Sequence, residues 1–184
     1  MIENKPIVFK REWAMPNSNT FSIGPALDFI HRHITDGLWI DPFANSNRIA
    51  QITNDLDPQY DTDYHLDAYD FLKQFSDSSV EGVLFDPPYS SRQVAECYKK
   101  MGLTVDMTTT QGSFWAKLKC EVSRIVKPQG KCLSFGWNSG GIGEKYGFDV
   151  QEIVLIPHGG IHYDTICVAE IRRTTLFETA FSGE

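Results

Sequence analysis

The run Val80-Glu81-Gly82-Val83-Leu84-Phe85-Asp86-Pro87-Pro88-Tyr89 constrains this chain more than any other stretch. Its apolar part reads as a buried strand. Two prolines then stop that strand, because proline lacks the N–H a ladder needs and fixes its own φ. A carboxylate therefore stands where a strand ends. In an open α/β sheet, the carboxyl ends of strands face the ligand crevice. The Asp86 carboxylate and the Pro87 carbonyl can each accept one hydrogen of an amine. Pro88 adds no competing N–H, and Tyr89 offers an aromatic face for stacking. The plain alternative is a strand-ending turn, where Asp and Pro are common. The position after an apolar strand, midway along an α/β pattern, favours a site.

The rest of the chain supplies that pattern. Leu27, Ile30 and Ile34 recur at helical spacing over 25–34, with Pro25 in the first turn. Short apolar runs at 38–40, 52–54 and 64–66 predict strands, the third followed by a helix through Phe75. Residues 92–101 predict a helix with Val94, Cys97, Tyr98 and Met101 inward. Trp115, Leu118, Val122 and Ile125 form a second helical stripe, stopped by Lys127-Pro128-Gln129-Gly130. Further strands are expected at 131–135, 151–156 and 165–171. The last two are joined by too short a loop for a parallel crossover, so they should pair antiparallel. The opening stretch to Ser22 has no clear period and reads as an arm. The expectation is an α/β, doubly wound, mostly parallel seven-stranded sheet with a terminal antiparallel strand pair.

Composition sets limits. At 184 residues, with 41% hydrophobic and 22% charged content, the chain suits one soluble domain with a proper core. No apolar stretch reaches membrane-spanning length, so no membrane partner is expected. Met1-Ile2-Glu3-Asn4-Lys5 lacks the layout of a signal peptide. Cys97, Cys120, Cys132 and Cys167 form no Cys-x-x-Cys, which fits a reducing cytoplasm without disulfides or zinc. The net charge of −7 argues for weak intrinsic affinity for nucleic acid, or for a protein partner that supplies it. The basic pairs Lys10-Arg11, Lys99-Lys100 and Arg172-Arg173 read as solvated faces.

Asp86-Pro87-Pro88-Tyr89 resembles the catalytic motif of amino methyltransferases, which methylate adenine N6 or cytosine N4 with S-adenosylmethionine. The resemblance covers about residues 20–171. It implies that Asp86, Pro87, Pro88 and Tyr89 are catalytic. Asp41-Pro42-Phe43-Ala44-Asn45-Ser46-Asn47 matches the family's cofactor loop at Asp41 and Phe43, while both loop glycines are missing. Asn45 adopts φ > 0 more readily than most residues, so it is a stand-in for the first glycine. By the same resemblance Asp55 accepts the ribose hydroxyls, being acceptor-only when ionised. Asp67 lies near the cofactor's adenine; it can equally cap the following helix. The segment from Thr20 and Phe21 to Ile23 resembles the one that closes over the cofactor's methionine end.

The chain further resembles small phage- and prophage-borne adenine methyltransferases, which implies DNA adenine as substrate and a bacterial cytoplasm as setting. No separate target-recognition domain fits after Tyr89, so target reading falls to the loops 101–112 and 137–143, or to a partner. His158 and His162 lie in a glycine-rich turn rather than on a helix, so no metal site is expected there. RNA adenine methylation, possible single-stranded targets, and a non-catalytic cofactor-binding subunit of a larger complex remain alternatives. A nicotinamide dehydrogenase is disfavoured because no Gly-x-Gly-x-x-Gly follows the first strand.

Overall fold

The computed structural model describes residues 6–105, 112–160 and 162–174. Seven strands form one sheet: β1 (Val8–Arg11), β2 (Trp39–Asp41), β3 (Ile52–Thr53), β4 (Val80–Phe85), β5 (Val126–Gly136), β6 (Phe148–Ile156) and β7 (Thr165–Arg172). Their order is β1-β6-β7-β5-β4-β2-β3. All neighbours run parallel except β7, which is antiparallel to β5 and β6. The expected mostly parallel sheet with an antiparallel β6–β7 pair is therefore the fold.

Strand alternation divides the core between two faces. Ile40, Val83, Phe85 and Cys132 pack on one face against α2 (Ala68–Leu72), α3 (Ser91–Lys100) and α4 (Gly112–Ile125). Trp39, Leu84 and Leu133 pack on the other against α1 (Gly24–His33). Gly82 sits beside Trp39 in register, and a Cβ there would lie 2.5 Å from the indole ring. Glycine in this buried strand thus makes room for the largest core side chain.

Two strand expectations change. The arm contributes β1, which pairs with β6 at the sheet edge. The strand expected at 64–66 is reduced to a single parallel bridge between Asn54 and Tyr64. Side chains there replace ladder bonds. Thr53 N–H donates to Asp63 Oδ2 (2.8 Å), Leu66 N–H donates to Asn54 Oδ1 (2.9 Å), and Asn54 Nδ2 donates to the Leu66 carbonyl (3.0 Å). The helix expected to reach Phe75 ends at Leu72. The stop after α4 holds, but Lys127–Gly130 joins β5 as an irregularity in its pairing with β4, with Gln129 at φ 65°. A bulge is where a sheet tolerates proline.

Candidate active site

β4 delivers Asp86 to the carboxyl edge of the sheet, and the chain turns through Pro87 and Pro88 directly into α3. Ser90 caps that helix, accepting from Gln93 N–H (3.3 Å), while Tyr89 N–H donates to Gln93 Oε1 (2.7 Å). Trp115 on α4 donates its indole N–H to the Pro88 carbonyl (3.1 Å). The turn is therefore held from both sides.

Two cavities meet at this turn. The first, about 360 Å³, is lined by Thr20, Phe43, Asn45, Asp55, Asp67 and Asp86, among others. The second, about 510 Å³, is lined by Trp115, Lys119, Trp137 and Asn138. Pro87, Pro88 and Tyr89 line both. Such volumes are typical of small-molecule sites, ~300–1,000 Å³.

Asp86 lies at the junction. Tyr89 donates its hydroxyl to Asp86 Oδ1 (2.5 Å), and Thr20 Oγ1 lies 3.2 Å from the same hydroxyl. Burial pushes the Asp86 pKa up, against hydrogen bonds from Tyr89 and Thr20. Burial and the neighbouring carboxylate push the Tyr89 phenol up, so it stays a neutral donor. The Tyr89 ring does not stand alone as the expected stacking face. It tilts against Trp137 (centroids 5.3 Å apart), and Trp137 stacks on Tyr163 at 4.4 Å.

The glycine-less loop after β2 has its own construction. Asn45 takes φ 52°, the left-handed conformation a glycine would supply, and its N–H donates to Asp55 Oδ2 (2.8 Å). Asn47 exchanges amide hydrogen bonds with Asn19 (3.1 and 3.3 Å). Asn19 also caps the short 3-10 turn Thr20–Ser22. This amide pair ties the entry segment to the loop at the cavity rim.

The remaining expected residues divide by depth. Asp41 is buried beneath the loop, where its Oδ1 accepts from Phe43 N–H (2.9 Å). Burial first, and then Asp86 and Asp55, hold its pKa well above the usual carboxylate range. Phe43 lines the first cavity and meets Phe85 edge-on at 5.8 Å. Asp55 accepts one backbone N–H on each oxygen, from Asn45 and from Asp57 (2.9 Å). Burial raises its pKa, and Asp57 adds to the rise. Asp67 lines the cavity and also caps α2 through Tyr69 N–H (2.9 Å); its second oxygen accepts from the Tyr98 hydroxyl. Phe21 is directed away, into the core against Phe135 (4.8 Å).

Sequence reasoning missed Asn19, Gln93, Tyr98, Lys100 and Tyr163; it placed Trp137 in the recognition loop 137–143 but not its stacking on Tyr163. Lys100 reaches Asp57 Oδ2 at 2.6 Å beside the first cavity. Trp137 had a usable signal, since it directly follows β5 at its carboxyl end. His158 is engaged on both ring nitrogens, by the Ala14 carbonyl and Thr165 Oγ1, each at 2.8 Å. Among the described residues no cluster of His, Cys, Asp and Glu suits a metal, and no helix is long and apolar enough to cross a membrane. Of the loop 101–112, residues 106–111 lie outside the described residues.

No protein-family model and no curated protein matches the sequence. Solved structures do. The chain is similar to the 1,6-didemethyltoxoflavin-N1-methyltransferase of Burkholderia thailandensis, solved with 1,6-didemethyltoxoflavin and S-adenosylhomocysteine. The TM-score is 0.55 at 10% identity, covering 82% of this chain and 78% of that one. TrmN from Thermus thermophilus matches with a TM-score of 0.54 at 14% identity, over 80% of this chain but only 48% of its own. The Escherichia coli protein yhhF, described as a methyltransferase, matches with a TM-score of 0.50 at 10% identity, over 88% of this chain and 91% of its own. The chain has the Rossmann-like methyltransferase fold.

Proposed function

We propose that this chain transfers a methyl group from S-adenosylmethionine to the exocyclic N6 amine of adenine in DNA. The observation that carries the reading is the shared wall. One acidic turn, Asp86 to Tyr89, separates a cavity lined by carboxylates from a cavity lined by aromatic rings.

The donor set of the first cavity fits the cofactor. Burial raises the cost of ionising Asp55 and Asp86 in the cavity wall, and both add to that cost at Asp41 beneath the loop, which a positively charged ligand would relieve. Each Asp55 oxygen keeps acceptor capacity for a diol beyond its backbone donor. Thr20, Phe43 and Asn45 complete the wall. When bound, S-adenosylmethionine supplies a methyl group on a cationic sulfur and leaves as the neutral thioether. The Burkholderia neighbour, named for methylating a nitrogen, was solved with the product of that cofactor.

The chain's own residues orient and desolvate the acceptor. An adenine amine is a poor nucleophile because its lone pair is delocalised into the ring. With Oδ1 of Asp86 fixed by Tyr89, Oδ2 and the Pro87 carbonyl are the pair that accepts the two N–H bonds. That hydrogen bonding favours a pyramidal nitrogen and frees its lone pair to form the N–C bond. The methylated amine is briefly cationic and loses one proton to Asp86, whose raised pKa suits an acceptor. Catalysis in this scheme is mostly positioning and electrostatics. A base paired in a duplex would first have to leave the stack to reach the turn, whereas an unpaired one would not.

Mass spectrometry of nucleosides from DNA incubated with the chain and S-adenosylmethionine tests the reading. N6-methyladenine is expected. Methylation confined to RNA, or to another base, would replace the substrate while leaving the site intact.

A further inference from the structure

The second cavity carries more than an acceptor slot. Tyr89, Trp137 and Tyr163 come from three separate loops at the sheet edge and form one continuous run of rings. The outer two are not core. Trp137 is 38% exposed and Tyr163 71% exposed, although a stacked Trp–Tyr pair is a large apolar surface to leave in water. The Trp137–Tyr163 planes are 29° apart, so the outer Tyr163 face continues the stack outward. Lys119 lines the same cavity as Tyr89 and Trp137. The loop that carries Trp137 is anchored: Glu170, fully buried on β7, accepts from Ile142 N–H (2.6 Å) and Gly143 N–H (2.8 Å).

Aromatic rings combined with positive charge are how proteins bind single-stranded nucleic acid without reading its sequence. From this arrangement we propose that Trp137 and Tyr163 are a stacking platform for the unpaired base next to the target adenine in single-stranded DNA, with Lys119 facing the intervening phosphate. The inference rests on the proposed methylation of adenine, because the ring run starts at Tyr89. It goes further in naming single-stranded DNA as the substrate form and a site for the flanking nucleotide. Stacking tolerates any base, so the platform supplies affinity with a relaxed target sequence.

The test is fluorescence anisotropy of a labelled oligo-dA strand, without cofactor, on the full chain. Tyr163→Ala should weaken binding on the order of 5- to 150-fold, the range for losing one base–aromatic stack. Tyr163→Phe should bind within about twofold of wild type, since the ring face survives. Tyr163 is so exposed that neither substitution threatens folding, which equal thermal melting would verify. Trp137→Ala and Lys119→Ala should weaken binding as well, and the oligo-dA KM should rise more than kcat falls. Unchanged affinity of Tyr163→Ala for single-stranded DNA would overturn the platform even if adenine is methylated. A strong preference for oligo-rA over oligo-dA would overturn its assignment to DNA. Conversely, Tyr163-dependent binding without any adenine methylation would sink the enzymatic reading and leave the platform standing.

Discussion

Glu152 and Asp86 both carry carboxylates that have lost much of their water, and they are held on opposite terms. Glu152, on β6, is held by two cations, Lys10 (2.9 Å) and Arg32 (3.0 Å), and by the His33 ring (2.6 Å). Burial alone would raise its pKa, but those three partners bring it to about 2. His33 responds in the other direction, because its own burial outweighs the pull of Glu152. Lys10 and Arg32 therefore carry the compensation. Asp86, Asp41 and Asp55 have backbone N–H groups and hydroxyls instead, and among the described residues no lysine or arginine pairs with them. The contrast separates two uses of buried charge. Glu152 is neutralised within the fold and ties β1 and α1 to β6. The three aspartates have no such partner among the described residues; Asp55 and Asp86 line a cavity, and Asp41 is buried beneath its loop.

The largest expected effect concerns Asp86. Asp86→Ala should abolish methyl transfer while cofactor affinity largely survives, because in the proposed function the residue addresses the acceptor amine. A turnover assay beside calorimetry would show it, and an active variant would break the contrast at its centre.

Next comes stability at the compensated pole. Glu152→Ala should destabilise the chain by roughly 1–3 kcal/mol, less than for a fully buried pair because Lys10 and Arg32 are 40% and 36% exposed and regain water. The wild-type pH dependence carries the same information. The folded pKa of about 2 lies below the ordinary value of 4.5, so this stabilisation is complete above about 4.5 and is lost as pH falls toward 2. Denaturant titrations across that window should show a steep acid limb in wild type and a shallower one in Glu152→Gln.

Asp55→Ala should weaken S-adenosylmethionine binding by about 1–3 kcal/mol, the loss of a charged hydrogen-bond acceptor. Calorimetry giving equal affinities would remove the ribose role proposed for it.

The smallest effect has the opposite sign. Asp41 has a folded pKa above its ordinary value, so the folded chain holds that proton more tightly than the unfolded one. Its contribution is present at low pH and is lost as pH rises through the window above 3.8. Asp41→Asn keeps an oxygen for the Phe43 N–H and removes the charge. It should raise stability near neutral pH by up to about 1 kcal/mol, read as a higher melting temperature. A lower melting temperature would mean that the Asp41 charge is already compensated within the fold.

What the sequence determined about this protein was local. Val80–Phe85 is apolar and Pro87-Pro88 cannot continue a ladder, so a carboxylate at a strand end followed from the chain alone. Asn45 at positive φ and Asp67 as a helix cap were equally readable, because each depends on a residue's own backbone preference or its next few neighbours. The sheet class followed from alternating apolar runs. Tertiary structure decided what depends on distant partners. Ile7, Val8 and Phe9 have no period to mark them, and only the open edge of β6 makes a strand of Val8–Arg11. Residues 64–66 look like a strand, but Asp63 and the Asn54 side chain take over the bonds that a ladder would use. Asn47 occupies a glycine position for no local reason; its partner Asn19 comes from the entry segment. Tyr89 reads as a free stacking ring until the fold brings Thr20 and Asp86 to its hydroxyl and Trp137 to its face. A hydrogen bond or a ring contact between remote segments leaves no period in the sequence, so only the folded sheet edge shows which of its loops meet.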